Sequence, residues 1–357
     1  MAENKDKKVL NVPHLRFPEF NGEWEETKLQ DIVPNICSGK DKISNSGEVV
    51  LYGSTGVIGR TNSASYKEDI VLVARVGANA GKMQIGNAPC GVTDNTLVID
   101  AKEWNYYIYY FLQHYNLNRL VFGSGQPLIT GGMLKKIKVR YGCKAERNNI
   151  IHLLYLLDER IATQNKIIED LKKLKSAIAE TIFNTVQGRI AILSTICSVI
   201  KGKQVNGEEL LEKGEYYVMN GGVTPSGYYD QYNTPAETIS ISEGGNSCGY
   251  VQYNKAPFWS GGHCYTLQDI DKEVDNQYLF HYLKRCESSI MNLRIGTGLP
   301  NIQKKDLENF RIMLPPSKIQ KEIATCLTAI EDKIGIEVHW LACAQKEKHH
   351  LLRQMFI

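Results

Sequence analysis

Apolar residues recur along two long stretches of this chain in alternating steps of four and three. The first runs through Ile150, Leu154, Leu157, Ile161, Ile168, Leu171, Ile178 and Ile182. The second runs through Ile323, Leu327, Ile330, Ile334, Leu341, Ala344, Leu351 and Met355. This is the a/d seam of a heptad repeat and predicts two long amphipathic helices. Each seam covers 33 residues, which makes each helix about 50 Å long. Pro315-Pro316 marks a sharp start for the second helix. Both seams break at matching places: Gln164 corresponds to Glu337 at a d position, and Lys175 to Lys348 at an a position. Polar residues in a seam cost stability but fix register and partner. Either helix alone would read as part of an ordinary bundle. Two copies with the same defects predict mutual pairing, through Leu154, Leu157, Ile161 and Ile168 on one and Leu327, Ile330, Ile334 and Leu341 on the other.

The helices belong to a larger internal repeat. Gly123-Ser-Gly125-Gln-Pro127-Leu-Ile129 aligns with Gly296-Thr-Gly298-Leu-Pro300-Asn-Ile302 at an offset of 173 (296 − 123), and that offset holds without gaps to Phe183 and Phe356. Upstream the match is looser and the offset drifts: Leu29-x-x-Ile32 resembles Leu193-x-x-Ile196, Gly77-Ala-Asn79 resembles Gly244-Gly-Asn246, and Ala88-Pro89 resembles Ala256-Pro257. Each half therefore has a divergent front and a common back. The fronts read as mixed α/β with short strands. Ile70–Ala74 and Thr238–Ser242 are β-branched runs that end at glycine-containing turns. Residues 104–115 carry five tyrosines and predict a packing helix. The boundaries divide the chain into segments 1–23, 24–141, 142–188, 189–313 and 314–357.

Composition narrows the chemistry. Hydrophobic residues make up 43% and charged residues 23%, with a net charge of +3. This suits a soluble protein with real cores and permits nucleic acid as a partner without arguing for it. The first eight residues are polar and charged and lack a signal peptide's apolar run, no stretch approaches a membrane span, and the nine cysteines are scattered singly. Those features fit the reducing cytoplasm and no membrane. Enzyme signatures are missing. An adenine methyltransferase would carry Asn/Asp-Pro-Pro-aromatic, whereas Pro315-Pro316 is flanked by Leu314 and Ser317. Gly77-Ala-Asn-Ala-Gly81-Lys82 has three residues between its glycines where a phosphate loop has four, and Met83 where that loop has Ser or Thr. His349-His350 lies on the second seam helix. No catalytic residue, metal site or cofactor site is assigned.

What remains is binding chemistry. Arg, Lys, Asn, Gln, Ser and Thr read base edges, and backbone amides in glycine loops hold phosphates. Such residues cluster at matching places in both halves. In the first they are Tyr52, Ser54, Thr55, Arg75, Asn79, Lys82, Ser124 and Gln126; in the second, Asn220, Ser242, Asn246, Thr297, Asn301 and Lys304. Each loop alone is an ordinary polar surface loop, and the repetition turns the set into a candidate DNA-binding surface.

Three segments then carry a family resemblance: Val12-Pro-His-Leu-Arg-Phe-Pro-Glu-Phe-Asn-Gly-Glu-Trp24, Leu314-Pro-Pro-Ser-Lys-Ile-Gln-Lys-Glu-Ile-Ala324, and Leu351-Leu-Arg-Gln-Met-Phe356 with its counterpart Ile178-Ala-Glu-Thr-Ile-Phe183. Over nearly its whole length the chain resembles the specificity subunits of type I restriction–modification systems. It departs at Tyr141-Gly142-Cys143, where prolines are expected, and at Asn149, where Gln is usual. The resemblance implies an α+β fold with two mixed α/β target-recognition domains in pseudo-twofold repeat, separated by two long antiparallel coiled-coil helices. It implies a non-catalytic DNA-reading subunit for a bipartite target. Its partners would be double-stranded DNA, two methyltransferase subunits that use S-adenosylmethionine, and restriction or translocase subunits that can join. The competing readings are a coiled-coil scaffold with two protein-binding heads and a methyltransferase fragment.

Overall fold

A computed structural model describes residues 11–121, 127–296, 298 and 300–357. The chain forms two compact units. One comprises the described residues up to Asn165 with Trp340–Ile357, and the other comprises Lys166–His339.

In the first unit the strands are β1 (Glu25–Lys28), β2 (Ile36–Ser38), β3 (Val49–Gly53), β4 (Gly56–Thr61), β5 (Ile70–Ala74), β6 (Met83–Gly86), β7 (Cys90–Val92), β8 (Thr96–Ile99) and β9 (Lys138–Tyr141). They make an antiparallel sheet ordered β2-β8-β5-β6, a smaller sheet β4-β3-β7 and a ribbon β1-β9. The second unit has β10 (Arg189–Ile192), β11 (Ser198–Lys201), β12 (Tyr216–Met219), β13 (Gly227–Tyr229), β14 (Thr238–Ser242), β15 (Val251–Asn254), β16 (Trp259–Ser260), β17 (Cys264–Gln268) and β18 (Arg311–Leu314). Their orders match: β11-β17-β14-β15, β13-β12-β16 and β10-β18. β5 and β14 are the β-branched runs. Each is buried along its whole length because it sits inside its sheet. In β14 the serines tolerate burial because Asn254 donates to Ser240 Oγ and Ser242 Oγ donates to Gly221 O.

The tyrosine-rich segment forms helix α1 (Asn105–Tyr115), and α3 (Asn276–Arg285) is its counterpart. Tyr107 and Tyr278 are fully buried, and their hydroxyls donate to Arg140 O and Met313 O, both at 2.7 Å. The long helices are α2 (Lys144–Thr185) and α4 (Ser317–Met355). Each contributes to both units. In the first, Ile150 and Leu154 share a core with Leu352, Met355 and Phe356, whose ring lies 5.5 Å from that of Tyr107. In the second, Phe183 lies 5.8 Å from Tyr278 in a core that also holds Ile323 and Leu327. Of the other predicted pairing residues Ile168 is buried, while Leu157, Ile161, Ile330, Ile334 and Leu341 are half-buried, as a coiled-coil seam requires.

The polar seam positions have partners. Lys175 on α2 meets Glu331 on α4 at 2.5 Å, and Lys348 on α4 meets Asp158 on α2 at 2.6 Å. The repeat offset of 173 carries Asp158 to Glu331 and Lys175 to Lys348. One ion pair is therefore the repeat image of the other, and within each unit the two helices pair through the same acid–lysine contact. A third residue joins each pair. Tyr110 donates to Asp158 at 3.0 Å, and His281, at the matching place on α3, lies against Thr328 at 3.0 Å with Glu331 3.9 Å away.

Candidate nucleic-acid interface

The two units build one loop skeleton twice. After β5 and β14 the chain turns at Gly77 and Gly81, and at Gly245 and Gly249. These have φ of 76° and 89°, and of 74° and 89°, a region where an L side chain is strained. Gly81 N donates to Ala74 O, as Gly249 N does to Ser242 O. The turn's true partner for Gly77 is thus Gly245. The alignment of Gly77-Ala-Asn79 with Gly244-Gly-Asn246 is one residue short, because the second half has two adjacent glycines and only the backbone says which one turns. The described Pro-x-Ile ends of the repeated segment, residues 127–129 and 300–302, fold back over this turn. Gly77 N donates to Pro127 O and Ile129 N to Arg75 O, and the same bonds join Gly245 to Pro300 and Ile302 to Glu243.

In this frame Arg75 and Glu243 hold equivalent positions. Arg75 Nη1 donates to Ser38 Oγ at 3.2 Å. Glu243 Oε1 accepts from Lys201 Nζ at 2.6 Å and from Tyr265 OH at 3.0 Å. Ser38 ends β2 and Lys201 ends β11, so the partners are equivalent as well. One half has an Arg–Ser contact where the other has a Glu–Lys ion pair.

Around Glu243 lies a cleft of about 540 Å³ lined by Lys201, Asn220, Glu243, Asn246, His263 and Asn301 together with glycine backbone. The structure thus brings three predicted residues together: Asn220, Asn246 and Asn301. Asn246 and Asn301 are exposed, and half-buried Asn220 accepts from His263 N with its Oδ1. In the first unit Arg75, Asn79 and exposed Lys82 share the glycine turn, while Ser54 and Thr55 cap the β3–β4 hairpin. Lys304 is exposed and lies 3.5 Å from Glu308. Ser124, Gln126 and Thr297 fall outside the described residues.

Two assignments need correction. The Tyr52 ring is buried with Ile70, Leu72 and Val98, and its hydroxyl accepts from Asn87 N. Ser242 is buried, and its Oγ donates to Gly221 O at 2.7 Å. Both side chains are buried and bonded within their own domain. Conversely, Lys201, Glu243 and His263 were not anticipated. A one-residue shift of the loop alignment would have set Glu243 against Arg75 and marked it.

A single scaffold used twice, with different side chains at equivalent tips and a self-complementary pair of helices, defines a duplicated binding protein. The chain belongs to the family described as type I restriction modification DNA specificity domain, whose model matches residues 21–173 and 192–342. Its relatives include a Mycoplasma genitalium protein described as a type I specificity subunit, 23% identical over 92% of this chain and 91% of that one. A Methanocaldococcus jannaschii protein described as a type I restriction enzyme specificity subunit is 28% identical over 92% of each chain. The crystal structure of a type I restriction–modification S subunit from M. genitalium shares the fold with a TM-score of 0.77 at 19% identity, covering 97% of this chain and 99% of that one. Among the described residues no helix is long and apolar enough to cross a membrane, and no group of three His, Cys, Asp or Glu side chains could hold a metal.

Proposed function

We propose that the chain reads a two-part sequence in double-stranded DNA, one part with each recognition domain (residues 24–141 and 189–313), and offers its paired helices to two methyltransferase subunits. The same assembly leaves room for restriction or translocase subunits to join. The observation that carries this reading is the repetition of one loop skeleton with unlike polar tips. A scaffold kept constant while its tips differ suits a site that must recognise two different half-sequences, and the tip residues are those that read base edges. Binding and activation of S-adenosylmethionine are assigned to the partner subunits, so this chain contributes position and specificity and no catalytic group.

Two measurements test the reading. Co-expressed with its methyltransferase, the chain should direct adenine methylation to a bipartite motif found by methylome sequencing. Purified alone, it should transfer no methyl group and bind no S-adenosylmethionine, while its DNA affinity falls steeply with salt as phosphate contacts require. Methyl transfer by the isolated chain, or DNA binding indifferent to salt, would overturn it.

A further inference from the structure

Glu243 lies against the wall of the second domain's cleft and is only 7% exposed. Its backbone is pinned from three sides: its N–H donates to His263 O at 2.9 Å, and its carbonyl accepts from Ile302 N at 2.8 Å and Cys248 Sγ at 3.1 Å. Its Oε1 is saturated by Lys201 and Tyr265. Its Oε2 is buried and has no hydrogen-bond partner in the protein. His263 Nδ1 lies 3.6 Å from it, beyond hydrogen-bond distance, on a side chain that is 64% exposed.

A fixed acceptor of this kind is costly unless a ligand supplies a donor. Lys201 pairs with the carboxylate at 2.6 Å, and a carboxylate only accepts. A phosphate offers no donor to such a group and would be repelled by it. In the major groove the available donors are the exocyclic amines of cytosine and adenine, and a carboxylate is a natural reader of the cytosine amine. At the equivalent place in the first domain stands Arg75, which only donates and suits the O6 and N7 acceptors of guanine.

We propose that Glu243 is a specificity-determining residue of the second recognition domain, its Oε2 accepting a hydrogen bond from a base's exocyclic amino group. Lys201 and Tyr265 act as positioning residues that hold the carboxylate. The inference rests on the DNA-reading role proposed above and adds a named residue and the base chemistry it reads.

The test is methylome sequencing of the complete methyltransferase complex with unmodified chain, with Glu243→Gln, and with the paired substitution Glu243→Arg, Lys201→Ser that copies the first domain's chemistry. Glu243→Gln should lower discrimination roughly tenfold to a hundredfold at one base pair of one half-site, leaving the other half-site and the spacing intact. Lost preference for cytosine identifies the N4 amine as the group read, and lost preference for adenine identifies N6. The paired substitution should shift that position toward guanine, and it decides the matter if Glu243→Gln fails to assemble. An unchanged motif in an assembled variant, or equal weakening of both half-sites, would overturn the proposal. Failure of the DNA-reading role itself would already show in the unmodified complex as methylation without a bipartite motif.

Discussion

His281 and Tyr110 stand at matching places on α3 and α1, each beside the acid of a seam ion pair. Burial, reinforced by Lys175, pushes the histidine down from its ordinary 6.5 to about 4. A base whose folded value is depressed stays neutral in the fold while the unfolded chain takes up a proton. Its contribution is therefore complete above pH 6.5 and is lost as pH falls toward 4. The loss by pH 4 is about 3 kcal/mol. Thermal melts from pH 7 to 4 should show the second unit weakening more steeply than in His281→Tyr, which installs the first half's non-titrating solution. Parallel curves for the two proteins would refute the assignment. Glu243 gives a second lesson at this scale. In the sequence, an acid in a candidate DNA-binding loop looks misplaced, because its justification is Lys201, 42 residues away. Burial of Tyr52 and Ser242 was equally hidden. Both residue types suit a polar loop, and only packing around the small sheet takes them out of reach.

At the scale of elements the sequence was far more legible. A heptad seam is a local property of spacing, and every apolar position of the four-three pattern is buried or half-buried. The polar defects at Lys175 and Lys348 were visible as defects but not as ion pairs, since their acids lie on the opposite helix at positions outside the a/d pattern. Those pairs are partly exposed, and each is worth about 0.5–1 kcal/mol. Lys175→Glu should lower stability by more than that, by setting two carboxylates face to face. Adding Glu331→Lys should recover most of the loss, whereas adding Asp158→Lys should not. Denaturation of the single and double variants gives the coupling, and a coupling near zero would mean the pair does not set register. Strand existence was legible where β-branched runs were buried on both faces. The one-residue error in the glycine turn came from a row of two glycines, whose φ values no composition reveals.

For the whole molecule, modularity can be measured directly. Replacing residues 189–313 with the matching segment of a relative should change one half of the methylated motif and leave the other half and the intervening distance alone. A change in both halves would point to one composite reading surface. The ion pairs carry a consequence of another kind, concerning ancestry. Asp158 and Lys175 stand 17 residues apart on α2, as Glu331 and Lys348 do on α4, so either half alone holds both members of the contact. In two copies of residues 11–188 laid antiparallel, each Asp158 would meet the other copy's Lys175, and Phe183 would fill the place against Tyr107 that Phe356 takes in the full chain. Such a fragment is expected to sediment as a homodimer, and a well-folded monomer would contradict this. A protein of this kind can arise from a half-length gene by duplication and fusion without inventing any new interface, after which each copy is free to drift toward its own half-sequence.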